Sequence, residues 1–345
     1  MATGWPMKTT YANGDVYSAS DVNDITGTIN LLQTSTLSRA GGKNVIINGG
    51  MDIWQRGTSS TAVGYGSADR WYQNNAGGTG TFAQETTTVP TGARYAMKFT
   101  ASSSAAPQIH QYIETMQVIP LQGQTVTLSA SMGASTSTAM GLDLAYTTSV
   151  DSGAGASWTT ITPTSTTSGA SVTTYQRLNS VYSIPSTATS LRVRLYSVNN
   201  IANTVVVYFG NVQLELGSTA TTFSRAGGTI QGELAACQRY YYRQSAVESF
   251  SDFGLGFAVS TTSARIEISM PVTMRVAATS LEYSTLILWD GSGTNTTVTS
   301  AALGEVGLQR LRLTIGVASG LTQYRPYSLL ANNSTSAYVG FSAEL

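Results

Sequence analysis

Apolar residues at every second position, in short runs bounded by Ser, Thr, Gly and Asn, restrict this chain to β-structure. Leu191, Val193 and Leu195 show the pattern, as do Val126, Leu128 and Ala130. Successive strand side chains point to opposite faces, so each such run buries one face and wets the other. Between Asn44 and Arg225 the runs fall at 45–54, 68–73, 93–100, 107–116, 125–132, 140–147, 176–184, 190–196, 204–208 and 211–216. Ser/Thr/Gly-rich stretches at 58–67, 74–80, 101–106 and 149–173 separate them. Many short strands with long polar loops suit a jelly-roll sandwich.

Two stretches break the alternation with helical spacing. In residues 1–43, Val22, Ile25, Ile29 and Leu32 recur at three and four, with Ser18 or Ser20 as N-cap and Asp21 and Asp24 in the first turn. Gly27 weakens this helix by about 1 kcal/mol relative to Ala. Such a stripe needs a partner surface: copies of itself, a larger protein, or its own domain. The second stretch, 229–243, carries Ile230, Leu234, Cys237 and Tyr241 at helical spacing behind a Thr229 N-cap. After it, 253–259, 264–272, 280–289, 296–301, 308–317 and 324–345 again read as strands, with an irregularity near Arg310 and Arg312. The fold class is therefore all-β: a short N-terminal helical segment, a jelly-roll β-sandwich, a linking helix and a second, smaller β-sandwich. The expected divisions are 1–43, 44–226 and 227–345.

Composition narrows the function classes. Eighteen basic and 18 acidic residues in 345 give a net charge of +0, and only 10% of positions are charged. Nucleic acid and anionic lipid require clustered Lys and Arg, so neither is an expected partner. With 41% hydrophobic residues the chain still has enough apolar surface for real cores. The single cysteine, Cys237, cannot form an intrachain disulfide, and no Cys/His cluster suggests a structural zinc. No leader-like apolar segment opens the sequence, and no run approaches the roughly 18 apolar residues of a membrane span. Synthesis in the cytosol is expected, with any exit by lysis or a dedicated assembly.

Three blocks occur in order along the chain. The first is Asn44-Val45-Ile46-Ile47-Asn48-Gly49-Gly50-Met51-Asp52-Ile53-Trp54-Gln55-Arg56-Gly57, followed by Ala68-Asp69-Arg70-Trp71. The second is Val212-Gln213-Leu214-Glu215-Leu216-Gly217 with Ala220-Thr221-Thr222-Phe223, and the third is Glu233-Leu234-Ala235-Ala236-Cys237-Gln238-Arg239-Tyr240-Tyr241. Together, across 44–243, they resemble a domain of bacteriophage virion fibre and appendage proteins: tail fibres, receptor-binding proteins, and head or neck fibres. The C-terminal part, with Met270-Pro271-Val272-Thr273-Met274-Arg275, resembles the domain that often follows. The resemblance implies a jelly-roll similar to carbohydrate-binding modules, carried on a virion. From the residues themselves, Met51, Ile53, Trp54, Trp71, Val212, Leu214 and Leu216 read as core, and Arg56, Asp69 and Arg70 as a local ion pair or loop clamp.

Catalytic patterns are weak. His110 is the only histidine and lies in a strand pattern, so any Ser-His-Asp or Cys-His site would depend on it alone. Glu85, Glu114, Asp143, Asp151, Glu215, Glu267 and Asp290 form no glycosidase motif, and no solenoid repeat is visible. Gly77-Gly78-Thr79-Gly80 lacks the lysine and helix of a phosphate loop. A calcium ion would have to use carbonyls with Asp52, Asp143 or Glu215. No catalytic residue, metal site or cofactor is expected. The Asn-X-Ser/Thr matches at Asn295, Asn332 and Asn333 carry little meaning for a bacterial product.

Sugar binding is the sharpest expectation, because aromatic rings stack on pyranose faces while amides and hydroxyls bond the sugar. The candidates are Trp158, Tyr175, Tyr182 and Tyr65, with Tyr283 and Trp289 in the last body. The expected oligomer interface is Val22, Ile25, Ile29, Leu32, Ile230, Leu234 and Tyr241, in a homotrimer whose residues 1–43 attach to other virion proteins. The resulting expectation is a phage fibre or receptor-binding appendage that contacts host surface polysaccharide. A head or neck decoration protein without glycan binding, and a polysaccharide-cleaving fibre, are the competing readings.

Overall fold

The alternating runs close into two packed antiparallel sheets. A computed structural model of the chain describes residues 43–345, so the stripe of Val22, Ile25, Ile29 and Leu32 lies outside the described residues. One sheet has seven strands in the order Ser59–Ser60, Gly80–Glu85, Ala96–Ala101, Val206–Leu216, Thr125–Ala134, Gln176–Ser183 and Ser165–Thr166. The other runs Ser171–Val172, Thr138–Thr147, Ser190–Ser197, Gln108–Ile113 and Tyr72–Asn74, with Thr159–Thr160 also paired to Thr138–Thr147. Phe82, Phe99, Leu128, Met132, Phe209 and Leu214 from the first sheet meet Ile109, Leu142, Leu144, Leu191, Val193 and Leu195 from the second, all buried. This is the sandwich that the alternation predicts.

The segment that opens the resemblance is a hydrogen-bonded staple built on two asparagines. Asn44 donates from Nδ2 to the carbonyls of Val212 (2.9 Å) and Ser224 (3.0 Å), and its Oδ1 accepts from the amides of Ile46 and Leu214, both at 3.0 Å. Asn48 repeats the scheme: Nδ2 donates to Ile53 O (2.9 Å) and Asp69 O (3.0 Å), and Oδ1 accepts from Asp52 N (2.8 Å) and Ile53 N (3.0 Å). Both use the full capacity of a carboxamide. Gly49 is required by close approach, since a Cβ there would lie 2.1 Å from the Val212 carbonyl oxygen.

The helix occupies Ile230–Gln238, capped as expected by the Thr229 side chain, which accepts from Gly232 N at 3.0 Å. It is shorter than the expected 229–243. The Tyr240-Tyr241-Tyr242 run favours extended backbone, and Tyr241–Ser245 pairs instead with Tyr338–Ser342. The helix packs on the first body, where Cys237 and Tyr240 cluster with Ile47 and Ile53 against Leu234 and Ala236, and leads directly into Tyr241–Ser245 of the second. Buried Glu233 accepts from the amides of Asn48 and Gly227, fixing the helix to the staple. Tyr241 is 0% exposed and Leu234 half-buried within the chain, so neither offers the free oligomer surface expected of it, whereas Ile230 is 43% exposed.

The second body closes on itself. Asp252–Ala258, Ser263–Ser269, Arg310–Val317, Asn295–Val306, Leu286–Trp289 and Pro326–Ala331 form a six-stranded barrel. A three-stranded sheet of Tyr241–Ser245, Tyr338–Ser342 and Ser280–Ser284 adjoins it and shares its core through Val339 and Phe341. The irregularity expected near Arg310 and Arg312 falls on the facing strand, between Leu303 and Val306.

The Asp-Arg-Trp block joins the two bodies over a long sequence distance, not locally as its spacing suggests. Arg70 pairs with Glu344, donates to Tyr112 O at 2.7 Å and lies over the Tyr240 ring at 3.6 Å. Arg56 meets the same carboxylate at 3.3 Å and covers the Tyr241 ring at 3.5 Å. Asp69 pairs with neither in hydrogen-bond range; it accepts from Gln55 N at 3.0 Å and Gln55 Nε2 at 2.5 Å.

Burial pushes the Asp69 carboxyl up to about 6, against the opposing pull of Arg56 and Gln55. A raised carboxyl pKa means that the folded state holds the proton more tightly than the unfolded chain. Its contribution therefore favours folding at low pH and is lost as pH rises from about 4 through 6, by roughly 3 kcal/mol. Glu85 acts in the opposite sense. Buried between the amides of Thr86, Thr87 and Thr88 and Lys98 Nζ, it is lowered to about 2, because these bonds outweigh the cost of its burial. Its contribution is present above about 4.5 and is lost toward pH 2. Thermal melts of Asp69→Asn between pH 4 and 6.5 should be flatter than those of the parent; parallel curves would show that Asp69 does not titrate there.

Candidate functional site

Strand parity decides what the six-stranded sheet shows to solvent. With Ile109, Gln111 and Ile113 turned inward, Gln108, His110 and Tyr112 face outward, and beside them stand Arg192, Arg194 and Tyr196. Register then sets two cross-strand rows: Tyr72, His110, Arg194 and Asp143 in one, Tyr112, Arg192 and Ala145 in the next. Neighbouring strands lie roughly 5 Å apart, so each row places its side chains in contact.

The rings form a continuous strip. Tyr65 meets the Tyr72 ring edge-on at 5.5 Å, Tyr72 lies parallel to His110 at 6.0 Å and edge-on to Tyr112 at 5.9 Å, and Trp158 covers Tyr112 at 5.6 Å. Trp158 comes from the long 149–173 loop, and its Nε1 donates to Gly153 O at 3.3 Å. Tyr196 lies across Gly141, where a Cβ would be 2.5 Å from its Cζ, and Arg194 sits over its ring at 4.3 Å. Tyr65, Tyr72, Trp158 and Tyr196 are partly exposed, while Tyr112 is covered.

Arg194 and His110 are held in place by hydrogen bonds. Arg194 donates Nε to Asp143 Oδ2 at 2.9 Å and pairs with the same oxygen through Nη2. His110 Nε2 lies 2.9 Å from Gln108 Oε1 and its Nδ1 3.1 Å from Tyr112 Oη. The amide carbonyl can only accept, so Nε2 carries the proton and Nδ1 accepts from the tyrosine. Burial, with Arg192 and Arg194 nearby, lowers the imidazole to about 3, so it is neutral at physiological pH. Its ring partners are an amide and a phenol, so in this arrangement it braces the strip.

The four aromatic candidates divide. Trp158 and Tyr65 belong to the strip, although Tyr65 also donates to Leu345 O at 3.3 Å and so forms its inner end. Tyr182 is 1% exposed in the sandwich core, opposite Val126, and cannot meet a ligand. Tyr175 lies apart, its ring tilted against Tyr208 at 5.8 Å and its hydroxyl donating to Thr88 O at 3.1 Å. Tyr283 and Trp289 are exposed on the second body. Tyr72, Arg192, Arg194 and Tyr196 were missed. Their signal was present in the sequence, because Arg192, Arg194 and Tyr196 alternate with Leu191, Val193 and Leu195, and large polar residues there must stand on the outer face. The carboxylates that a calcium ion would need each have another partner: Asp52 pairs with Arg225 at 2.7 Å, Asp143 with Arg194, and Glu215 accepts from Thr221 N at 2.8 Å.

No protein-family model matches the sequence, and no curated protein matches it. Among solved structures, the similar folds are jelly-rolls of the carbohydrate-binding-module kind, and one is a phage tailspike domain. A candidate sugar binding protein from Bacteroides thetaiotaomicron matches 50% of this chain and 100% of its own at 15% identity and a TM-score of 0.35. The C-terminal family 22 carbohydrate binding module of Clostridium thermocellum Xyn10B matches 48% of this chain and 98% of its own, at 17% and 0.32. The enzymatically active domain of tailspike protein 4 from bacteriophage CBA120 matches 51% of this chain but 22% of its own, at 13% and 0.33.

Proposed function

We propose that the outer face of the six-stranded sheet binds a polysaccharide without cleaving it, and that the chain is a structural appendage of a phage virion. The observation that carries the glycan reading is the strip of Tyr72, Trp158 and Tyr196, partly exposed and edged by Arg192, Arg194, Asp143 and Gln108 on one rigid sheet. Flat rings and fixed polar groups are what a sugar needs: a face for its C–H groups and partners for its hydroxyls. The virion reading is supported by the ordered sequence blocks between residues 44 and 243, which the structure accounts for as staple, closing strand and docked helix. In this reading the chain is a homotrimer attached through residues 1–43, and weak single-site contacts gain from multivalency.

Binding of the full chain to host surface polysaccharide tests the site. Trp158→Ala combined with Tyr72→Ala should weaken it at least tenfold, about 1.4 kcal/mol, with the melting transition retained. Undiminished binding by this folded variant would remove the strip from consideration. Light scattering of the full chain reads the trimer; a monomer at micromolar concentration would reject it.

A further inference from the structure

We infer that the aromatic strip takes a glycan whose sugars carry carboxylates, and that Arg192 selects for them; this rests on the glycan-binding reading above. Arg192 stands in the outward row between Tyr112 and Ala145, with its guanidinium 5.9 Å from the Trp158 ring. Its side chain is only 17% exposed, and its Nε is buried without a hydrogen-bond partner among the described residues. The nearest carboxylate oxygen, Asp143 Oδ1, is 3.9 Å from Nη2, beyond hydrogen-bond range. Asp143 is committed to Arg194 through its other oxygen.

Other buried guanidiniums with an unpartnered Nε are satisfied at their tips. Arg177 donates to Asn211 O at 2.8 Å and Ser129 Oγ at 2.7 Å, and Arg70 to Glu344 and Tyr112 O. Arg192 is therefore a largely buried guanidinium whose planar fork makes no hydrogen bond among the described residues, set beside the rings that would hold a sugar. That fork matches a carboxylate in two parallel bonds. Local charge points the same way: Arg192 and Arg194 face one carboxylate, Asp143, and His110 is neutral, leaving a surplus positive charge in the two rows. Asp143 Oδ1, buried and without a partner, is an acceptor for a hydroxyl next to that carboxylate. A hexuronate offers both groups on one ring.

The test uses the full chain on immobilised polygalacturonate, alginate and hyaluronate, each paired with the same polymer after its carboxyls are reduced to alcohols, together with dextran sulfate. At least one acidic polymer should bind tenfold or more tightly than its reduced form, with the preference shrinking as salt is raised. Arg192→Gln should abolish that preference, bringing the acidic polymer down to the level of its reduced form on the same variant, with the melting transition retained. Arg192→Lys, which keeps the charge but not the fork, should recover only part of it. Equal binding of acidic and reduced polymers overturns the inference and leaves glycan binding intact, as does a stronger preference for dextran sulfate. Binding to none of the polymers, acidic or reduced, overturns the inference together with the reading beneath it.

Discussion

Asn48→Ala should cost about 4 to 6 kcal/mol, enough to remove most of the folded population of a domain whose net stability is roughly 5–15 kcal/mol. The side chain makes four hydrogen bonds in a site with no solvent access. Truncation leaves the carbonyls of Ile53 and Asp69 and the amides of Asp52 and Ile53 without those partners, and each stranded buried group costs about 1–3 kcal/mol before relaxation. The backbone adds a second penalty, because residue 48 has φ of 56°, a left-handed conformation that Asn tolerates and Ala resists by about 1 kcal/mol. Asn48→Gly separates the two effects: it removes the bonds but accepts the backbone, and should be the milder variant by about that 1 kcal/mol. Denaturant unfolding reads both, and a loss below 1 kcal/mol for Ala would show that the site rebuilds its bonds without the carboxamide.

Arg70→Met is the second large effect, expected at about 3–5 kcal/mol, the usual cost of breaking a buried pair from one side. The guanidinium is 1% exposed, and its loss leaves Glu344 facing Arg56 alone while Tyr112 O loses a donor. Glu344→Gln should be comparably harmful, since it leaves two buried cations sharing a neutral amide. In a double-mutant cycle the combined variant should be less destabilised than the sum of the singles, by more than 1 kcal/mol of coupling, as contacting partners are. Strict additivity would mean that the two side chains do not sense each other. The lesion should also loosen the junction between sandwich and barrel, read as faster proteolysis of the segment 217–250.

Much of this architecture was legible because strand parity is local. Leu191, Val193 and Leu195 assign their own strand, and Thr229 announces its helix. Tyr182 was misplaced because Val181 and Tyr182 put apolar residues on both parities of Gln176–Ser183, and a one-residue choice of face reverses every side chain. Tyr241 was misplaced because helical spacing continued into a tyrosine run that another strand could claim. The partner of Arg70 could not be read at all. A pair separated by 274 positions leaves no mark in either neighbourhood. The strip was half legible: Trp158 stood out in its loop, but its neighbours acquired meaning only once register set Tyr72, His110 and Arg194 in one row.

That remote carboxylate also bears on how the protein is made. A ribosome that has released residues 44–226 has delivered every strand of the sandwich, yet Arg56 and Arg70 still lack the anion that lets them be enclosed. The early body can collapse, but the contacts that enclose Arg70 are complete only once residue 344 has emerged, so the order of synthesis places the closing of this junction last.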